Sequence, residues 1–216
     1  AINNGIIHTT FTKAVSERNN RLLFQLSYFI SNTYNKERQL GNETSQMYVK
    51  KYHYAIGDTM AYLSWAKDAN SAALPFWTVD SLIQRDETYM EKVKPQRPTS
   101  FGTYTFQFQA PSQYIPINLN EDAWHFYEMT NLKGNLEIAL EWSKRSMELF
   151  AGLNRKRNLP VENPAFMDTY AHLLYRLGRK EEAIQWQTKA VEAQLTSGIT
   201  IGSISESLEK MKNGTL

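Results

Sequence analysis

Gly134-Asn-Leu-Glu-Ile-Ala139-Leu-Glu-Trp142-Ser-Lys-Arg-Ser146 and Gly178-Arg-Lys-Glu-Glu-Ala183-Ile-Gln-Trp186-Gln-Thr-Lys-Ala190 are two versions of one pattern. In each, Gly is followed by Ala at the fifth position, Trp at the eighth and a small residue at the twelfth, and the copies stand 44 residues apart. The spacing has a direct physical meaning. A glycine between two antiparallel helices supplies the turn. Small residues on the second helix let it approach the first closely, and larger ones between them fill the gaps. One such hairpin cannot bury its apolar face alone, so hairpins stack. The pattern therefore predicts an all-α fold of stacked antiparallel helix hairpins.

Working outward, residues 11–40 read as one long helix, with Val15, Leu22, Leu26 and Phe29 on one face. Gly41-Asn42 reads as a stop and restart, followed by a helix over about 43–69 that holds Gly57, a position for a kink. A weak third copy of the repeat, one residue off-register, runs from Gly57 through Ala61, Trp65 and Ala69. A third helix begins near Pro75. Pro95, Pro98, Pro111 and Pro116 then crowd one stretch, within which Tyr104, Phe106 and Phe108 alternate with polar residues as in a strand. That stretch is either an extended segment laid over the helices or an edge that pairs with another domain or chain. Helices resume at Asn118, which has capping-box spacing to Glu121. Further helices precede and follow a basic loop over 152–160, start at Pro164, continue beyond Gly178, and end with a short helix over 203–212. The expected organisation is an N-terminal helical region (1–94), a Pro-rich extended connector (95–117) and a repeat region (118–216).

Composition narrows the chemistry. The 216 residues are 42% hydrophobic and 12% aromatic, too rich in both for a disordered polymer. The 24 Lys and Arg nearly balance the 22 Asp and Glu, which argues against nucleic acid as the partner. No apolar run is long enough to span a membrane, and no signal peptide opens the chain. The first residue is Ala rather than Met, so the chain is expected to be a processed or excised piece of something longer. There is no cysteine, which removes disulfides, thiolate metal sites and cysteine nucleophiles together. His8, His53, His125 and His172 are scattered. His125 and His172 are each expected to be satisfied or solvent-facing rather than metal ligands, and neither metal nor cofactor is expected. The acid pairs Asp86-Glu87, Glu121-Asp122 and Glu181-Glu182 do not converge, because neighbours on a helix point about 100° apart. The last two suit the dipole of a first helical turn. Arg155-Lys156-Arg157 reads as cations after a helix end.

Met167-x2-Tyr170-Ala171-x2-Leu174-Tyr175-x2-Gly178-x4-Ala183-Ile184-x5-Ala190 resembles a tetratricopeptide repeat. The first copy, Ala123 to Ser146, is similar but has Tyr127 where a small residue is usual and Ser146 for the second Ala. The 44-residue offset exceeds the family's period of about 34. The loop at 151–160 is the expected home of the surplus. A second likeness covers about residues 118–216. Asp122-Ala-Trp-His-Phe-Tyr-Glu128, Ala139-Leu-Glu-Trp142, Asp168 to Gly178 and Leu208 to Gly214 are similar to the C-terminal helical region of bacterial exported thioredoxin-fold proteins. That likeness implies a periplasmic or otherwise exported protein in which a thioredoxin-like domain precedes these helices. With no cysteine here, redox chemistry carries over to no residue.

The tetratricopeptide resemblance implies a superhelix that binds an extended protein or peptide partner along the first helix of each pair. By the family's spacing, Glu121, Trp124, Glu128 and Asn131 line that face in the first copy, and Asp168, His172, Tyr175 and Arg176 in the second. An aromatic, a carboxylate and an arginine together suit a peptide or its terminal carboxylate. The alternative is that these are ordinary packing and solvated residues. The expected function is thus non-catalytic: a protein- or peptide-binding helical module, part of a larger exported protein. The rivals are an accessory domain of a thiol-disulfide oxidoreductase contributing to its substrate site, and a dimerisation unit pairing copies through Tyr104–Phe108.

Overall fold

A computed structural model describes residues 2–33, 38–93, 111–197 and 202–216. Among these, all regular structure is helical, and the contacts divide the chain into two compact units, Ala1–Leu74 and Pro75–Leu216.

The first unit holds α1 (Ile2–Ser16), α2 (Asn20–Thr33), α3 (Arg38–Ala55) and α4 (Thr59–Ala73). The single helix expected over 11–40 falls on α1, α2 and the start of α3, with the first break where Arg18 adopts φ 49°. Asn19 Oδ1 then accepts from the Leu22 amide at 3.0 Å and caps α2. Of the expected face only Leu26 is buried, with Val15, Leu22 and Phe29 half-buried, and the buried row of α2 is Leu23, Leu26 and Ile30. Gly41 ends nothing: it lies buried inside α3. Gly57 is a turn rather than a kink, with φ 71°, and Asp58 caps α4 by accepting from the Ala61 amide at 3.1 Å. The Gly57 copy of the repeat therefore does form a helix–turn–helix. Its buried positions are Tyr62, Ala66 and Asn70, five, nine and thirteen after the glycine, whereas Trp65 is exposed. Ala14, Leu23, Val49 and Tyr52 make one apolar cluster, and Ile7, Leu26 and Ile30 another. The Tyr52 hydroxyl donates to Asn20 Oδ1 at 2.8 Å, so this fully buried ring keeps its polar atom satisfied.

The second unit begins within a 3₁₀ turn, Leu74–Phe76, so the helix expected at Pro75 starts later, as α5 (Val79–Val93). The side chains of Thr78 and Ser81 cap one another's backbone amides at 2.9 and 3.1 Å and place that start. The strand expected at Tyr104–Phe108 lies outside the described residues. Pro111 to Ile117, expected in the extended connector, is helix: α6 runs Pro111–Met129. Proline fits a helix start at 111. Pro116 is tolerated inside at the cost of one backbone hydrogen bond. Asn118 and Glu121 are therefore interior to α6 and form no capping box. The next helix, α7 (Lys133–Lys156), absorbs most of the loop expected at 152–160. Then come α8 (Pro164–Arg176), α9 (Lys180–Ser197) and α10 (Ile204–Asn213). Asn163 caps α8 by accepting from the Ala165 amide at 3.0 Å, with Pro164 behind it as expected.

Neighbouring helices pack as pairs, α6 with α7 and α8 with α9, and α8 also touches α6 and α7. The small residues behave as their spacing predicts: Ala139, Ser146, Ala183 and Ala190 are completely buried. The repeat extends to its aromatic filling. Phe126 meets Trp142 edge-on at 4.8 Å, and Tyr170, 44 residues after Phe126, meets Trp186 at 5.0 Å. Ser143 and Gln187, again 44 apart, are both buried polar residues. Ser143 Oγ donates to Asn120 Oδ1 at 3.3 Å and lies 3.5 Å from the Phe166 carbonyl in the first turn of α8. Gln187 Nε2 donates to the Ile204 carbonyl, the first of α10, at 3.0 Å. Like α8 against its predecessors, α10 touches the two preceding helices α8 and α9. It closes the stack with Glu206, Glu209, Lys210 and Lys212 facing water.

The two repeat glycines differ. Gly178 has φ 82° and forms the α8–α9 turn, with the Arg179 amide reaching back to the Leu174 carbonyl at 2.9 Å. Gly134 lies in the first turn of α7 with an ordinary helical backbone. There the turn is made by Thr130, whose Oγ1 accepts from the Leu132 amide at 3.1 Å.

Candidate functional site

The face expected to carry function is built by α6 and α8. On α8, 3.6-residue periodicity puts Asp168, His172 and Arg176 in one row, four residues apart. Opposite stand Trp124 and Tyr127 on α6 and Asn131 in the loop that follows it. The helices are held in register from below by a buried polar knot, in which Asn120 Nδ2 donates to Thr169 Oγ1 at 3.0 Å and Thr169 donates to the Ala165 carbonyl at 3.0 Å. Nothing in the sequence period marked this knot, because a buried Asn and Thr read as polar surface.

Trp124, Tyr127 and His172 form a three-ring cluster. His172 meets each of the other two edge-on at 5.3 Å, and Trp124 and Tyr127 lie 5.0 Å apart. The exposed Arg176 lays its guanidinium over the Tyr127 ring at 4.1 Å. One of its nitrogens, Nη1, donates to the Tyr127 carbonyl at 3.2 Å and to Asn131 Oδ1 at 2.9 Å. These bonds satisfy a carbonyl of the last turn of α6 and fix the arginine plane.

Behind the rings, His172 Nδ1 lies 2.8 Å from the Asp168 carbonyl and 3.6 Å from its carboxylate. Asp168 Oδ1 accepts from Gln187 Nε2 at 2.6 Å. Burial pushes the Asp168 carboxyl above the ordinary aspartate range, opposed by the electrostatic pull of the neighbouring His172 ring and by the Gln187 hydrogen bond.

Of the eight residues singled out by spacing, Trp124, Asn131, Asp168, His172 and Arg176 are gathered here. Tyr175 turns elsewhere: it packs on the Tyr170–Ala183 cluster, with the Lys180 ammonium 5.4 Å from its ring. Glu121 and Glu128 lie exposed along α6. Tyr127 and Gln187 belong to the site and were not among the candidates. By the repeat's spacing, Tyr127 stands where a small packing residue is usual. Its bulk instead turns toward His172 and Arg176.

The remaining charged motifs resolve structurally. Asp86, from an acid pair, is buried, accepts from the Ser112 amide at 2.9 Å and the Ser112 hydroxyl, and pairs with Arg157 at 2.6 Å. The last residue of the basic run thus ties α7 to α5 and α6. Asp122 is buried in mid-helix, not in a first turn, whereas Glu181 and Glu182 do occupy the first turn of α9. Among the described residues, no three His, Asp or Glu side chains are grouped to hold a metal ion, and no helix is long and apolar enough to cross a membrane. No family model, no curated protein and no solved structure matches the chain.

Proposed function

We propose that the second unit is a non-catalytic, tetratricopeptide-like module that binds a protein or peptide segment on the α6–α8 face, within a larger exported protein. The observation that carries the binding role is the preset arginine. Arg176 is exposed, yet its plane is fixed by the Tyr127 ring, the Tyr127 carbonyl and Asn131. A guanidinium held in this way loses little side-chain freedom when it donates to a carboxylate or a peptide carbonyl. The half-buried Trp124, packed on the Tyr127 ring that carries the guanidinium, offers apolar area on the same face. The repeat resemblance supports the face chosen, since α6 and α8 are the first helices of the two pairs. The likeness to helical regions of exported thioredoxin-fold proteins supports the setting.

The test is selection from a displayed library of random peptides on the purified protein. Enrichment of sequences whose capture falls at least about tenfold in both Trp124→Ala and Arg176→Ala is the expected result. A library that enriches nothing, or captures peptides equally on both variants, removes the face as a binding site.

A further inference from the structure

Resting on that reading of the α6–α8 face, we infer that His172 is held as its Nδ1–H tautomer and presents Nε2 as the acceptor for a backbone N–H of an extended peptide, with Asp168 as the positioning residue. The protonation follows from the partners. Nδ1 lies 2.8 Å from the Asp168 carbonyl oxygen, and a carbonyl only accepts, so the proton of that contact belongs to the ring. The Asp168 carboxylate, 3.6 Å from the same nitrogen, favours a proton there too.

The carboxylate is itself pinned. Gln187 Nε2 donates both to Asp168 Oδ1 at 2.6 Å and to the Ile204 carbonyl at 3.0 Å. Turning that amide over would set its oxygen against two acceptors. Its orientation is therefore fixed, even though Oε1 is left enclosed without a partner. The ring is held on its other edges by Trp124 and Tyr127. With Nδ1 committed, Nε2 is the acceptor of a neutral ring. Among the described residues it has no hydrogen-bond partner and is not one of the enclosed unpaired atoms, so toward those residues it is open through the 6% of the side chain that remains accessible.

One helical turn further along α8, the N–H groups of Arg176 other than Nη1 donate to no acceptor among the described residues. With Cβ atoms of residues four apart about 5–6 Å from one another, an acceptor and a donor on one helical row suit the alternating N–H and C=O groups of an extended peptide. An anion alone would use Arg176 and gain nothing from a neutral imidazole acceptor.

Two measurements decide this, and the first needs no ligand. Nitrogen-15 NMR of the histidine rings at neutral pH should give His172 a pyrrole-type Nδ1 and a pyridine-type Nε2. In Asp168→Asn, where an amide N–H₂ faces the ring in place of a carboxylate oxygen, the Nδ1–H population should fall. A ring protonated mainly at Nε2 overturns the assignment, and an Asp168→Asn ring identical to the wild type overturns the positioning role. The second uses the tightest peptide from the library above, N-methylated at one amide at a time. One methylation should weaken binding about tenfold in the wild type and less than about twofold in His172→Phe. If no amide behaves so, the acceptor role falls. A library that yields no peptide sinks the binding reading and with it the ligand assignment, while the ring shifts still decide the tautomer.

Discussion

Alanine at Gly178 and at Gly134 should shift stability in opposite directions, although the two glycines occupy the same place in the repeat. Neither site is crowded: a Cβ added at either meets nothing within 4 Å. The difference is backbone alone. At Gly178, φ is 82°, in the left-handed region where an L side chain costs about 1–2 kcal/mol. Loss of glycine's freedom in the unfolded chain offsets about 0.4–1 kcal/mol of that. The net expectation for Gly178→Ala is a loss of about 1 kcal/mol. At Gly134, inside the first turn of α7, alanine fits the helix and should gain about 0.5 kcal/mol. Urea unfolding followed by tryptophan fluorescence suits the comparison, since four of the five tryptophans (Trp77, Trp124, Trp142 and Trp186) lie in the second unit. With a slope of about 2 kcal/mol per molar, the midpoints should separate by about 0.7 M. Gly178→Asn should cost less than Gly178→Ala, because Asn tolerates the left-handed region. Equal shifts at 134 and 178, or a stabilising Gly178→Ala, would refute the distinction between a glycine turn and a Thr130-capped turn.

Three further outcomes follow from the packing. In Asp168→Asn the cost of an ionised buried carboxyl disappears. Because the folded-state pKa is raised, that cost is absent below the ordinary aspartate range and grows as pH rises through the folded value. The variant's urea midpoint should therefore exceed the wild type's at neutral pH, with the gap closing toward pH 3; a constant gap contradicts the burial argument. Removing the guanidinium in Arg157→Met leaves Asp86 with the Ser112 bonds only. It should cost about 2 kcal/mol in thermal or urea unfolding, and a loss below about 0.5 kcal/mol would mark the pair as a mere surface contact. Ala183→Leu forces three extra heavy atoms into a completely buried crossing and should cost about 1–3 kcal/mol, whereas Ala165→Leu, only half-buried, should cost less than about 0.5 kcal/mol.

What the sequence made legible was packing that repeats. Ala139, Ala183 and Ala190 are small because two helices cross there, and the same residues can be read from spacing because the crossing recurs. Helix ends were less legible wherever a side chain rather than a glycine made the turn. Asn19, Asp58 and Thr130 each accept a backbone amide at a break, and each could as well have been an exposed polar residue in a continuing helix. Conversely, Gly41 and Pro116 looked like breakers and sit inside helices, where surrounding packing outweighs a cost of order 1–3 kcal/mol. The α6–α8 face was partly visible, because periodicity alone aligns Asp168, His172 and Arg176. Tyr127 and Gln187 were not, since their roles depend on which neighbouring helix lies across from them, and period alone does not state that.

The account stands on α6 and α8 lying side by side so that residues 48 positions apart, Trp124 and His172, share one cluster. Proton NMR measures this directly. Nuclear Overhauser contacts should link the Trp124 indole to the His172 ring, with the histidine carbon-bound protons shifted upfield by the Trp124 and Tyr127 rings. Absence of those contacts, with His172 protons at the positions of an unstructured histidine, would contradict the stacking of the two hairpins and everything built on it.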